Sequence, residues 1–366
     1  MTATRLRKQL DQRHRIILVN REPEFALAAS FLWVATGKRK PHQITKSLEL
    51  LKNKGIEVVT GEVERINAAR KEAVVSGRIL RGDFLVVSLG AEFCPEAVPG
   101  LGDAGLTFCT LDGASRLREA VERIQSGRVL IVTADPAYKC PAAPYEAAML
   151  LHDLFRRRGV RNRIQIELHA AEAAPMAVAG ANVSRAVQEM VERCAVTYFP
   201  EHRIASAHAE HVEFTDGVRR DFALLVYVPP IRPPDAVRQS DLAGDSGWVD
   251  VDRYTLATRF PDVYAVGGVT LIPLAMGKPL PRAGVFAHGQ AEVVAARIAS
   301  TVAGRSQDVR FEGRGGCFVE TGGGRAAFGA GNFYADPHPT VRMRSPSRVW
   351  HIGKILLERQ ILSQWF

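Results

Sequence analysis

From residue 111 to 199 the chain alternates two hydrophobic periods, and this alternation restricts its fold more than any other feature. "LDGASRLREAVERIQSG" has helical spacing and is followed by the short apolar run "RVLIVTA". "PYEAAMLLHDLFRRRG", "RIQIELHA" and "NVSRAVQEMVERC" then repeat helix, strand and helix. Continuous apolar strands belong in sheets buried on both faces, and parallel neighbours need a crossover of helical length. The spacing therefore predicts a parallel α/β unit from about residue 108, closed by a hairpin over "VEFTDGVRRDFALLVYVPP".

The flanking segments read as two parts of one further domain. "LRKQLDQ" predicts a short helix, "RIILV" a strand, and "ITKSLELLKNKG" a helix stopping at Gly55. The stretch from "EVVTGEV" to "FLVVSLGA" predicts consecutive strands. Pro229, Pro230, Pro233 and Pro234 mark a linker, and "PDVYAVGG…GVFAHGQAEVVAARIAS" returns as strand, loop and helix. The expected domains are 1–107 and 229–304 as one split unit, 108–228 as the inserted unit, and 305–366 as a closing segment. No internal repeat is visible in the letters.

The 366 residues suffice for more than one core, and a hydrophobic fraction of 46% with 24% charged residues is that of a globular protein. The net charge of +9 suits an anionic surface. No basic stretch carries interleaved aromatics, so nucleic acid is not an expected partner. No run of eighteen apolar residues predicts a span, and "MTATRLRKQLDQRHRI" has no apolar core of a signal peptide. The five cysteines, Cys94, Cys109, Cys140, Cys194 and Cys317, show no CxxC spacing, and His202, His208 and His211 show no carboxylate partner, so no metal site is expected.

One junction breaks the pattern of a dinucleotide-binding unit. Where a glycine-rich turn should follow the strand "RVLIVTA", the chain reads Lys139-Cys140-Pro141. The amides that cradle a pyrophosphate are missing there. A thiol beside a lysine at a helix start is expected to have a lowered pKa.

Several strings together resemble the FAD-dependent pyridine nucleotide-disulfide oxidoreductase superfamily, in particular its sulfide:quinone oxidoreductase and flavocytochrome c sulfide dehydrogenase branch. They are "FLVVSLGA", "VYAVGGV…LPRAGVFAHGQAEVVAARIA", "KCPAAPYEAA" and "GGCFVETGGGRAAFGAGNFY". The resemblance implies two Rossmann-like domains, the first without its initial strand and glycine turn, and FAD as cofactor. It implies that Cys140 and Cys317 form a disulfide or polysulfide bridge that accepts sulfide, or another small thiol or persulfide. Cys109 would help carry the sulfur chain. Cys94 and Cys194 would be structural. Electrons would pass to a quinone, or to a cytochrome in the flavocytochrome form. The implied flavin contacts are Asn20, Val63, Gly90, Gly267, Gly268 and Gly284, the glycines serving equally well as turn residues. Asn20 stands where the family has an acid, and Gly267-Gly268 where it has Gly-Asp. Lys354 would correspond to a lysine reaching the flavin or quinone, and His288 is either near the quinone or structural. A homo-oligomer is possible.

The tail "PSRVWHIGKILLERQILSQWF" predicts one amphipathic helix. His351, Lys354 and Glu358 share one face, and Val349, Ile352, Ile355, Leu356, Leu362, Trp365 and Phe366 occupy the broad opposite side. That side either packs on the core or, with Trp350, Arg342, Arg344 and Arg348, lies on a lipid headgroup layer at the inner face of a membrane. Two functions stay open: a membrane-peripheral sulfide-oxidising flavoenzyme, or a flavin-poor relative that carries or binds sulfur. A type II NADH dehydrogenase fits less well, because Cys140 occupies the nicotinamide loop.

Overall fold

The computed structural model describes residues 1–306 and 308–366. The first unit opens with helix α1 (Thr2–Gln9) and strand β1 (Ile17–Asn20). Helix α2 (Phe31–Ala35) is wholly buried. Strand β2 (Glu57–Thr60) pairs with β1 in parallel. The helix expected before Gly55 is a tighter 3-10 helix over Leu48–Lys54, started by Ser47 accepting from the Glu49 amide. Gly55 ends it at φ 77, a conformation that favours glycine. Strands β3 (Val63–Asn67), β4 (Glu72–Val75) and β5 (Arg78–Arg81) form an antiparallel ribbon, and β6 (Leu85–Val87) follows.

The second unit contains helix α3 (Leu111–Arg123), capped by Thr110, and strand β7 (Gly127–Thr133). Helix α4 (Ala143–Arg157), strand β8 (Ile164–His169), helix α5 (Ala181–Glu192) and strand β9 (Val196–Phe199) come next. A second antiparallel ribbon, β10 (Ile204–Ala207), β11 (His211–Phe214) and β12 (Arg219–Asp221), leads to β13 (Leu224–Val228). The sheet order is β9-β8-β7-β13, all parallel. This corrects the expected hairpin: "LLVYV" is buried on both faces and leaves the ribbon to pair with β7, as a continuous apolar run should.

The chain then returns to the first unit. The proline segment is strapped down where Ile231–Arg232 pairs with Glu92–Phe93. Strand β14 (Val263–Ala265) lies parallel to β6, and helix α6 (Gly284–Val302) packs on α1. The closing segment forms an antiparallel sheet of β15 (Arg314–Gly322), β16 (Arg325–Asn332) and β17 (Thr340–Ser347), then helix α7 (Arg348–Gln364). In β15 and β16 glycines interrupt the apolar alternation, at Gly315, Gly316, Gly322, Gly329 and Gly331. Gly331 shows why: a Cβ there would meet the Thr340 carbonyl oxygen at 1.9 Å.

Helix α4 ties the units together. It is apolar nearly all round, with Tyr145, Met149, Leu150, Leu151 and Phe155 fully buried, because it is sandwiched between the parallel sheet and β15. Each such side chain contributes roughly 1.5–3 kcal/mol. Its two acids, Glu146 and Asp153, face the closing segment. Asp153 sits against Gly322, where an added Cβ would lie 2.6 Å from the Asp153 Cβ.

The two units share one plan: parallel strands, a three-stranded antiparallel ribbon, then a returning parallel strand. The repeat absent from the letters is thus present in the backbone.

Candidate active site

A single cavity of about 1670 Å³ runs from α1 to the underside of α7. Ordinary small-ligand pockets occupy about 300–1,000 Å³, so this one has room for a dinucleotide-sized molecule and more. Cys109, Cys140, Cys317, Val63, Gly90, Gly267, Gly268, Gly284, His288 and Lys354 all line it. Asn20 does not join them; it is exposed at the end of β1, its amide donating to the Glu22 carbonyl at 2.7 Å.

Cys140 lies in the loop between β7 and α4 and adopts φ 58, unusual for a residue with a side chain. Two backbone bonds fix it: its amide donates to the Arg282 carbonyl at 3.0 Å, and its carbonyl accepts from the Ala143 amide at 2.8 Å. Cys317 comes from β15, and Cys109 from the turn before α3. All three are free thiols. Cys140 interacts electrostatically with each of the other two.

The lowered thiol pKa expected for Cys140 is corrected. Surrounding protein pushes it up, the Glu146 charge adds to this, and Lys139 and Lys354 only partly offset them. The thiol opens onto the cavity yet is poorly solvated by the crowded wall. Lys139 is turned elsewhere: its Nζ donates to the Ala91 carbonyl at 2.9 Å and sits 3.7 Å above the Phe93 ring. Helix α4, moreover, starts three residues after Cys140. Burial raises Cys317 and Cys109 to about 12 each.

Two acids that the sequence reading missed belong to the site. Glu146 Oε1 accepts from Lys354 Nζ at 2.9 Å and from the Glu320 amide at 2.7 Å. Burial raises the Glu146 carboxyl above its ordinary range, more than Lys354 and the Glu320 amide lower it. Burial pulls Lys354 down, but Glu146 and Glu320 outweigh it and the net shift is upward. Glu320, fully buried, accepts from His351 Nδ1 at 2.8 Å, and Lys38 lies 3.7 Å away. Glu146 on an otherwise apolar helix was the available signal, because a charge on such a face needs a partner.

Helix α7 is oriented by this network. His351, Lys354 and Glu358 point inward, Glu358 taking Arg39 Nε at 2.8 Å and Ser30 Oγ at 2.5 Å. Val349, Ile352 and Leu356 point outward, at 68%, 53% and 57% exposure. The polar stripe is the docked face, because three buried partners for it exist in α4, β15 and α2's surroundings.

The other end of α6 supplies a fit test for a flavin. Its first turn has no side-chain cap and no acid, and Gly284 faces open space. Arg282 beside it donates from Nε to the Gly268 carbonyl at 3.0 Å, while its buried Nη2 has no partner. Gly267 and Gly268 form a turn read by Gln290, whose Oε1 accepts from the Gly267 amide at 2.6 Å. A Cβ on Gly268 would lie 3.6 Å from Gly90, so two glycine turns meet here. The Gly284 amide serves the Cys140 sulfur, and Arg282, stacked 3.7 Å over the Trp248 ring, keeps one unpartnered nitrogen; a positive helix start with that nitrogen suits an anionic, flat ring edge. His288 is held near Glu292, 3.6 Å away, and beside Trp365.

His202 and His211 have carboxylate partners that the sequence reading did not find. His202 lies 3.2 Å from Asp216, and His208, His211 and Glu213 bring their ligand atoms within 4.8 Å of one another on the β11 ribbon. No helix among the described residues is long and apolar enough to cross a membrane.

The pyridine nucleotide-disulphide oxidoreductase family model matches residues 1–291. Sulfide-quinone reductase of Aquifex aeolicus is 23% identical over 371 residues, covering 95% of this chain and 84% of that protein. Mitochondrial sulfide:quinone oxidoreductase of Mus musculus is 22% identical over 287 residues, 74% of this chain and 63% of the relative. The Schizosaccharomyces pombe counterpart is 25% identical over 68% of this chain and 56% of its own length, so the chain spans less than two thirds of these mitochondrial relatives. The solved structure of sulfide:quinone oxidoreductase from Aquifex aeolicus superposes with a TM-score of 0.88 at 21% identity, covering all of this chain and 88% of that one. A NAD-dependent persulfide reductase from A. fulgidus gives 0.71 at 17% identity, over 90% of this chain and 61% of that one. At these identities the structural likeness establishes the fold. The family match over 1–291, together with two units of one dinucleotide-binding plan facing one cavity, makes this chain a member of the pyridine nucleotide-disulphide oxidoreductase family.

Proposed function

We propose that the protein oxidises sulfide at the Cys140–Cys317 pair and delivers two electrons to a quinone. The observation that carries this reading is the convergence of both thiols with the Lys354–Glu146 pair on one cavity under α7. The names of the relatives, sulfide-quinone reductase and sulfide:quinone oxidoreductase, support it. FAD, when bound, would be held at its ring end by Gly267, Gly268, Arg282 and the α6 amides at Gly284, and towards its adenine end by Val63 and Gly90. It would supply the two-electron acceptor between the cysteines and the quinone.

In the oxidised pair, hydrosulfide attacks one sulfur. The new S–S bond makes a cysteine persulfide, the old S–S bond breaks, and the other cysteine leaves as thiolate. A high thiol pKa makes that thiolate a poor leaving group. Lys354, which lowers both thiol pKa values, stabilises it. Glu146, which accepts from Lys354 Nζ at 2.9 Å, holds that ammonium at the cavity wall. Cys109 lines the same cavity and would relay sulfur. The test is anaerobic addition of sulfide to protein loaded with FAD, followed by decylubiquinone. Bleaching of flavin absorbance by sulfide and its return with quinone are expected; no bleaching at saturating sulfide rejects the reading.

A flavin-poor sulfur carrier is the second reading. It is favoured by Asn20, which stands off the cavity with its amide donating to the Glu22 carbonyl, and a colourless protein that forms a persulfide would support it.

The outward face of α7 gives the quinone reading its membrane surface. Exposed Val349, Ile352, Leu356 and Leu357 lie beside exposed Arg342, Arg344 and Arg348, and the cavity reaches Leu357 and Trp365. Apolar side chains flanked by arginines suit an anionic headgroup layer, such as the inner face of a bacterial membrane. Ile352→Asp and Leu356→Asp are each expected to weaken sedimentation with phosphatidylglycerol vesicles about 10- to 100-fold, from roughly 1.5–3 kcal/mol of lost burial. Unchanged binding would mean that α7 does not enter the bilayer surface.

A further inference from the structure

The antiparallel ribbon of the second unit carries a side-chain cluster that the cavity chemistry does not use. Strands β10 and β11 are joined by a tight turn in which the His208 amide donates to the His211 carbonyl at 2.8 Å. Beyond the turn Ala207 stands opposite Val212, and Ser206 opposite Glu213. Side chains alternate between the two faces of a strand. Ala207, Val212 and Phe214 are buried and pack with Leu101, Leu130 and Leu225. His211 and Glu213 therefore share the outer face, on a ribbon whose inner face is anchored in a core.

Three ligand groups converge on that outer face. The His208 and His211 rings stack with centroids 4.5 Å apart and planes inclined by 14°. His211 Nε2 lies 3.7 Å from Glu213 Oε1, and the ligand atoms of all three residues fall within 4.8 Å of one another. Ser206 Oγ sits 3.2 Å from His208 Nε2 and steadies that ring. Arg219, across the ribbon from Glu213, is drawn to Asp221 at 3.5 Å. Two imidazoles this close repel each other once both are protonated, whereas neutral rings can each offer a lone pair to a shared cation.

We propose that His208, His211 and Glu213 bind one zinc-class divalent cation, with a fourth position left to water or a small anion. Two imidazole nitrogens and one carboxylate are the donor set of borderline ions such as zinc, cobalt and nickel, while magnesium and calcium take oxygen shells. Ligand atoms about 2.0–2.2 Å from a tetrahedral zinc stand about 3.4 Å apart, so side-chain rotations of roughly 1 Å close the site. The carboxylate that the spacing did not reveal lies two residues along the same strand face. The ion ties the end of β10 to β11 at their turn. None of the three ligands lines the large cavity, so the site stands or falls apart from the redox reading.

The test uses the full chain labelled with ¹⁵N at histidine, titrated with Zn²⁺ and followed by NMR of the imidazole nitrogens. Thiols also take zinc, so the readout is placed on the histidines themselves. His208 and His211 are expected to shift and saturate together, while the exposed His42 and His338 stay unchanged. Mg²⁺ and Ca²⁺ should shift none of them. His208→Ala and His211→Ala should each weaken zinc at the remaining imidazole by more than the about 10–100-fold that loss of an outer partner costs. Glu213→Gln keeps the shape and removes the charge, and should weaken both imidazoles together by at least about 10-fold. Each substitution is on the outer face, so circular dichroism should match the parent. The proposal is overturned if neither imidazole shifts at millimolar Zn²⁺, or if His42 and His338 shift with the same affinity. It is equally overturned if Glu213→Gln binds as tightly as the parent, which would leave a two-histidine chelate without the carboxylate.

Discussion

Cys140→Ser is expected to lower sulfide oxidation on the order of 10³-fold or more, while leaving the fold intact. A hydroxyl cannot form the S–S bond that hydrosulfide breaks, and losses of this size follow removal of a covalent participant. The residue sits in a loop, at φ 58, held by backbone bonds to Arg282 and Ala143 that the serine retains. Cys317→Ser should be as damaging. The double variant should be no worse than either alone, because the two sulfurs act as one unit. Cys109→Ser is expected to keep the first turnover and impair the release of sulfur. The measurement is single-turnover bleaching against steady-state quinone reduction. Full activity in Cys140→Ser would remove this thiol from the reaction.

Lys354→Met is expected to destabilise the protein by about 3–5 kcal/mol at neutral pH. It leaves Glu146 buried and ionised with no cation. The sign of the pH dependence follows from the Glu146 shift. Its folded-state pKa is raised, so the folded protein takes up the proton more readily than the unfolded chain. Stability tied to this group is therefore fully present at low pH and lost as pH rises through the folded pKa. Without Lys354 that pKa rises further, so the deficit of the variant relative to the parent should shrink as pH falls from neutrality. Adding Glu146→Gln to Lys354→Met should recover most of the loss at pH 7. Urea unfolding of the parent, both single variants and the double variant gives the coupling directly. A deficit independent of pH would mean that lost packing of the lysine stem, not the orphaned acid, is responsible.

The legible part of the fold was the part written in strong periods. The apolar runs at 127–133 and 164–169, and the amphipathic helices between them, announced a parallel sheet because only buried strands read so continuously. The cysteine motifs placed Cys140 and Cys317 together by resemblance, and both line one cavity. Strands β15 and β16 were hidden by glycines at positions such as Gly315, Gly316 and Gly331, where a neighbouring side chain or carbonyl leaves no space. The Cys140 pKa was misread because position next to a lysine says nothing of where that lysine points. Its Nζ went to the Ala91 carbonyl.

The letters by themselves determined which segments are strands and helices in most of the central α/β unit, and that the tail helix carries a polar stripe beside an apolar one. Tertiary structure decided which face goes inward. The polar stripe of α7 docks because Glu320, Glu146 and Arg39, distant in the chain, converge on His351, Lys354 and Glu358. It also decided that β1 pairs with β2 and β6 with β14, since strand pairing is a contact between segments and no single segment encodes its neighbour. Local periodicity measures burial along one element; charge pairing and sheet order depend on what the rest of the chain brings beside it.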